Sequence, residues 1–129
     1  MDNLKQSVVR FLDTLRRDAM SAGLSPLTQY DQIQTRARWG TRTASTIQEW
    51  ADLVRRGLRV VSFSAQTSNA LLVLCQDFDT WASESGITRT RATSRVLSMI
   101  ESEIGWFIAL LRVAAQERRD AYNERERGA

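Results

Sequence analysis

The stretch "VLSMIESEIGWFIALLRVAAQER", residues 96–118, decides the fold. Its apolar residues recur at alternating steps of four and three: Val96, Ile100, Ile104, Phe107, Leu111 and Ala114, with Arg118 next in the register. That spacing is one face of a helix, and a second stripe of Leu97, Ile108 and Ala115 widens it. With Thr88 or Thr90 as its cap, this helix is expected to run to about Glu124, more than ~50 Å at ~1.5 Å per residue. Between Ile104 and Ala115 the sequence is apolar around much of the circumference. Such a helix is either central to its own bundle or packed against another subunit. Trp106, Phe107, Leu110 and Leu111 are therefore the candidate interface between subunits.

Working back from this helix, the same periodicity predicts four more. Leu4, Val8, Phe11, Leu12, Leu15 and Ala19 form one stripe of an N-terminal helix that stops before Gly23. "SPLTQYDQ" restarts a helix with Ser25 as cap and Pro26 in its first position, expected to end near Trp39–Gly40. "STIQ", Ser45 to Gln48, has capping-box spacing. It opens a third helix whose buried face is Ile47, Trp50, Ala51, Val54, Leu58 and Val61, with Gly57 inside it. A fourth helix is expected from about Ser68 to Ser83, closed by Gly86. "RVVSF" has strand propensity but no partner strand, so it reads as a helix end. The architecture is an all-α, single-domain bundle of about five helices spanning residues 1–129, with a long C-terminal helix. The polar tail, residues 119–129, is expected to fray.

Composition narrows the function. At 129 residues, with 43% hydrophobic and 26% charged residues, the chain is long enough for one core without disulfides or a structural metal. There is no histidine, which removes the commonest general base, the Ser–His and Cys–His pairs and most zinc sites. Neither a P-loop nor a GxGxxG motif is present. The expectation is a protein that is not an enzyme and uses no metal or cofactor. Cys75 stands alone in the apolar run "NALLVLCQDF", which reads as a structural thiol and fits a reducing, cytoplasmic setting. The longest apolar runs fall short of a membrane span.

The charge is segregated. The net charge is only +3, and because 17 of the 18 cations are Arg the pI of 9.7 overstates the basicity at neutral pH. Three windows, residues 32–48, 53–76 and 85–100, hold nine arginines and no acid, leaving nine cations against all 15 acids elsewhere. Separation of this kind is an electrostatic footprint of nucleic-acid binding. "TRARWGTR" (35–42) and "TRTRATSR" (88–95) both carry Arg in the second, fourth and eighth places and a hydroxyl in the first and seventh. Arg36, Arg38 and Arg42 together with Arg89, Arg91 and Arg95 are the leading candidates for phosphate contact. Arg55, Arg56 and Arg59 come next, and Trp39 is a candidate base platform. A solvated basic face and an aromatic loop cover are the simpler readings of the same residues.

An Arg-patched, cysteine-poor helical bundle of this length resembles the small helical subunit of class 1 CRISPR RNA-guided effector complexes. The resemblance rests on length, helix content and the basic patches at Arg36, Arg38, Arg42 and Arg89, Arg91, Arg95. Helical nucleocapsid and coat proteins share that description. "YNERE", Tyr122 to Glu126, also fits the tail of mycobacterial-type secreted helical proteins, but their W-x-G turn is absent because Trp39 is followed directly by Gly40. The CRISPR resemblance implies a cytoplasmic accessory subunit of an antiviral ribonucleoprotein complex. Such a subunit is present in several copies beside other protein subunits, contacts RNA or single-stranded DNA backbone, and has no membrane partner. The competing expectation is a helical protein–protein adaptor, such as a chaperone, immunity protein or secreted helical partner, that binds no nucleic acid.

Overall fold

Every apolar residue of the first predicted stripe faces inward. In a computed structural model, which describes residues 2–23, 35, 38, 40, 41 and 43–128, helix α1 spans Asp2–Ser21 and buries Leu4, Val8, Phe11, Leu12, Leu15 and Ala19. Gly23, at φ +91, takes the left-handed turn that ends it. Helix α2 is Ile47–Gly57, α3 is Ala65–Ser85 and α4 is Arg89–Gly128. Thr35, Arg38, Gly40, Thr41 and Thr43 are also helical positions, and the Ala44 N–H bonds to the Gly40 carbonyl at 2.8 Å. The expected cap and face of that segment, Ser25 to Ala37 apart from Thr35, lie outside the described residues. No strand occurs among those described, and the protein is an all-α bundle.

Two hydrogen bonds fix how α1 and α3 pair. The Ser7 hydroxyl reaches Asp77, and the Ser64 N–H donates to the Asp18 carboxylate at 3.0 Å. As α1 advances from 7 to 18, its partner falls from 77 to 64, so the helices are antiparallel. This is the principal packing of the bundle. Phe11 lies at its centre, with the rings of Trp50 and Phe63 set edge-on at 6.0 and 5.9 Å. Leu74, Val96 and Ile100 complete a single core, and α4 is tied to α1 by the Lys5–Glu103 ion pair at 3.4 Å.

Four boundaries differ from the sequence reading, the first three for a local reason. Gly40 does not end a helix. It is buried, and a Cβ there would stand 2.9 Å from Cδ1 of Trp50, so its lack of a side chain serves close approach. α2 stops at Gly57, with Leu58 as C-cap, but the left-handed residue beyond it is Arg59, at φ 59. The Val60 N–H bonds to the Arg55 carbonyl and the Arg59 N–H to that of Arg56, which is a Schellman closure. The resulting turn buries Val60 (5% exposed) and leaves Val61 94% exposed, the reverse of the expected face. Helix α3 begins earlier than expected, because Ser64 caps it by accepting the Thr67 N–H, and it closes at Gly86 in the left-handed region. α4 continues past Glu124 to Gly128, 40 residues or ~60 Å.

Candidate nucleic-acid interface

The cap of α2 lies one residue later than the capping-box reading placed it. Thr46 accepts the Glu49 N–H at 3.0 Å, and the Glu49 carboxylate reaches back to the Ser45 N–H at 3.4 Å. At the start of α4 the Thr88 hydroxyl accepts the Arg91 N–H at 3.3 Å. These two helix starts adjoin. Ser45, Thr46, Ile47 and Gln48 from one, and Arg89, Thr90 and Thr93 from the other, line a single cleft of about 270 Å³ whose floor is Cys75, Phe78 and Asp79 of α3. The end of the first basic window thus meets the third. Farther along α4, Arg38 of the first window pairs with Glu101 at 3.6 Å.

The arginines of the second window are elsewhere. Arg55, Arg56 and Arg59 sit at the C-terminal end of α2, which its 11 residues carry ~15 Å from the cleft. Arg55 is occupied by its own fold: it binds Asp52 at 2.8 Å and donates to the carbonyls of Val60 and Val61 at 2.9 Å each. Arg56 shares Asp52 at 2.8 Å. The hydrogen bond from Arg55, opposed by partial desolvation and reinforced by the charge of Arg56, holds the Asp52 carboxyl below its ordinary pKa.

Within the third window the arginines divide. Arg89 is clamped by Asp79 at 2.6 Å and lies over the Phe78 ring at 5.2 Å. Arg91 and Arg95 are exposed, one helical turn apart on the same side of α4, and neither has a carboxylate partner among the described residues. Arg59 is likewise exposed and unpaired among them. Arg36, Arg42 and Trp39 lie outside the described residues. Trp106, Phe107, Leu110 and Leu111 fall within the α4 backbone, and their side chains are outside what the structure describes.

Cys75, half-buried on the cleft floor, has its thiol pKa raised first by burial and then by the Asp79 charge, so it stays protonated at neutral pH. Acid-free windows in sequence are not acid-free in space: Asp52, Asp79 and Glu101 all reach in from outside them. Nothing in the sequence singled out Thr93, whose side chain is buried against the cleft. Among the described residues no group of His, Cys, Asp and Glu is placed to hold a metal ion, and no helix is long and apolar enough to cross a membrane. No protein-family model, curated protein or solved structure matches the chain.

Proposed function

We propose that this protein is a non-enzymatic helical accessory subunit of a nucleoprotein complex, contacting the phosphate backbone of RNA or single-stranded DNA through the first turns of α4. The observation that carries the reading is the exposure of Arg91 and Arg95, which have no carboxylate partner among the described residues and stand on the outer face of the same helical turns whose inner face, with Arg89, lines the cleft. Unpaired guanidinium groups release counterions on binding phosphate, whereas Arg89 must first leave Asp79. Nothing in the site resembles a base-reading module, so binding follows backbone charge rather than sequence. The CRISPR small subunit expected from the sequence is one form of such a protein, and its antiviral, cytoplasmic and multi-copy features belong to this proposal.

The test is binding of labelled single-stranded RNA by the nucleic-acid-free protein across a salt series. Arg91→Glu with Arg95→Glu is expected to weaken binding and to flatten the slope of log affinity against log salt by ~0.7 for each phosphate no longer neutralised. Unchanged affinity and slope in a folded double variant refute the assignment. The adaptor reading draws on α4 instead: beyond Ile104, the last buried residue described, every described side chain of this helix is exposed. Absence of RNA binding at low salt, with protein partners captured through residues 105–128, would favour it.

A further inference from the structure

We propose that the cleft between the starts of α2 and α4 seats a single phosphate group. The inference deepens the nucleic-acid reading and rests on it only for what the phosphate is attached to. Each helix start leaves donors free. In α2 the N–H groups of Glu49 and Trp50 are taken by Thr46, so those of Ile47 and Gln48 have no intrahelical partner. In α4 the N–H groups of Arg91 and Ala92 are taken by Thr88, which leaves those of Arg89 and Thr90. All four residues line the cleft, and the positive ends of two helix dipoles face it together.

Thr93 supplies the independent observation. It is only 7% exposed, lines the cleft, and its hydroxyl makes no hydrogen bond among the described residues. The hydroxyl is not among the fully buried unpartnered polar atoms, so it is open to the cleft and available to a bound group. A ligand rich in acceptors, approached from several directions at once, satisfies this hydroxyl, the helix N–H groups and the Arg89 guanidinium together. A phosphate has that geometry. The protonated Cys75 thiol adds no charge against it. Asp79 does, and it also holds Arg89, so the anion must displace a carboxylate to enter. That opposition gives the site a signature: removing the Asp79 charge strengthens binding.

The experiment is a titration with inorganic phosphate followed by amide resonances, paired with RNA carrying either a 5′-phosphate or a 5′-hydroxyl. Phosphate is expected to shift the amides of Ile47, Gln48, Arg89 and Thr90 together. Thr93→Val should weaken the response about tenfold, the worth of one hydrogen bond to a charged group. Thr93→Ser should preserve it, and Asp79→Asn should tighten it severalfold. If Thr93→Val abolishes a preference for 5′-phosphorylated RNA, the seat takes a terminal phosphate; if it weakens both RNAs equally, it takes an internal one. Shifts that avoid these four amides, or that persist unchanged in folded Thr93→Val, overturn the seat. RNA binding abolished in the Arg91/Arg95 variant but untouched by Thr93→Val, with no inorganic-phosphate shift at the four amides, overturns the seat alone. Phosphate shifts in a protein that binds no RNA overturn the nucleic-acid reading alone.

Discussion

Gly40→Ala sets two effects of similar size against each other. Gly40 is a helical position, and replacing a helical Gly with Ala gains about 1 kcal/mol of propensity. The new methyl, however, would lie 2.9 Å from Cδ1 and 3.3 Å from Nε1 of Trp50. The indole has little freedom to retreat, being fully buried and edge-on to the Phe11 ring. Overpacking of this kind costs about 1–3 kcal/mol, so the variant should lose about 1 kcal/mol net. In a domain of this size that lowers the melting temperature by about 3–5 °C. Urea denaturation followed by far-UV circular dichroism measures it, with the slope on denaturant unchanged. Trp50→Phe offers a smaller ring, and on that background Gly40→Ala should become stabilising, a coupling of about 2 kcal/mol between neighbours. A Gly40→Ala variant that is already more stable in the wild-type background would refute the close approach.

Three further outcomes follow from the turn after α2 and the carboxylate beside it. Arg59→Gly relieves a left-handed non-glycine residue and should stabilise the fold by about 0.5–1 kcal/mol, read as a higher denaturation midpoint. Arg55→Met removes the guanidinium that holds the Val60 and Val61 carbonyls; a loss of about 1–3 kcal/mol is expected in the same assay, and an unchanged midpoint would contradict the clamp. Because Asp52 has a lowered pKa in the fold, its contribution is fully present above the unfolded pKa and disappears as pH falls through the lower, folded one. Asp52→Asn should therefore destabilise at neutral pH, with wild type and variant converging in acid below about pH 4.

The helices were legible where one periodicity answered to one core. All six positions of the α1 stripe are buried, while Val9 and Met20 off the stripe are exposed, and Val96, Ile100 and Ile104 follow the seam read from the sequence. Glycine was the weaker guide, since it can end a helix or admit a neighbour. Gly86 does the first and Gly40 the second, and the ring that distinguishes them, Trp50, is ten residues away in the chain. Arg59 defeated the reading of Val61 because its left-handed backbone is imposed by the closure around it rather than by its own side chain. The candidate site was legible only as segments of sequence, not as a surface. The helix starts at Thr46 and Thr90 share a cleft, but no residue of the first octet, 35–42, lines it. Which arginines remain available was not readable, because Asp79 and Glu101 arrive from other faces of the bundle.

The length of α4 has a mechanical side. One continuous helix carries the cleft residues in its first turns and extends to Gly128, so residues 105–128 form a rod of ~36 Å beyond the last buried residue described. A pivot of about 10° at Ile104 would sweep the far tip through ~6 Å while the helix keeps its 1.5 Å rise per residue. Ala92, Val96, Ile100 and Ile104 hold the near end of this helix in the core, so the segment from Arg89 to Arg95 is its fixed end, and the far end closes in "NERERG", where charges of both signs alternate.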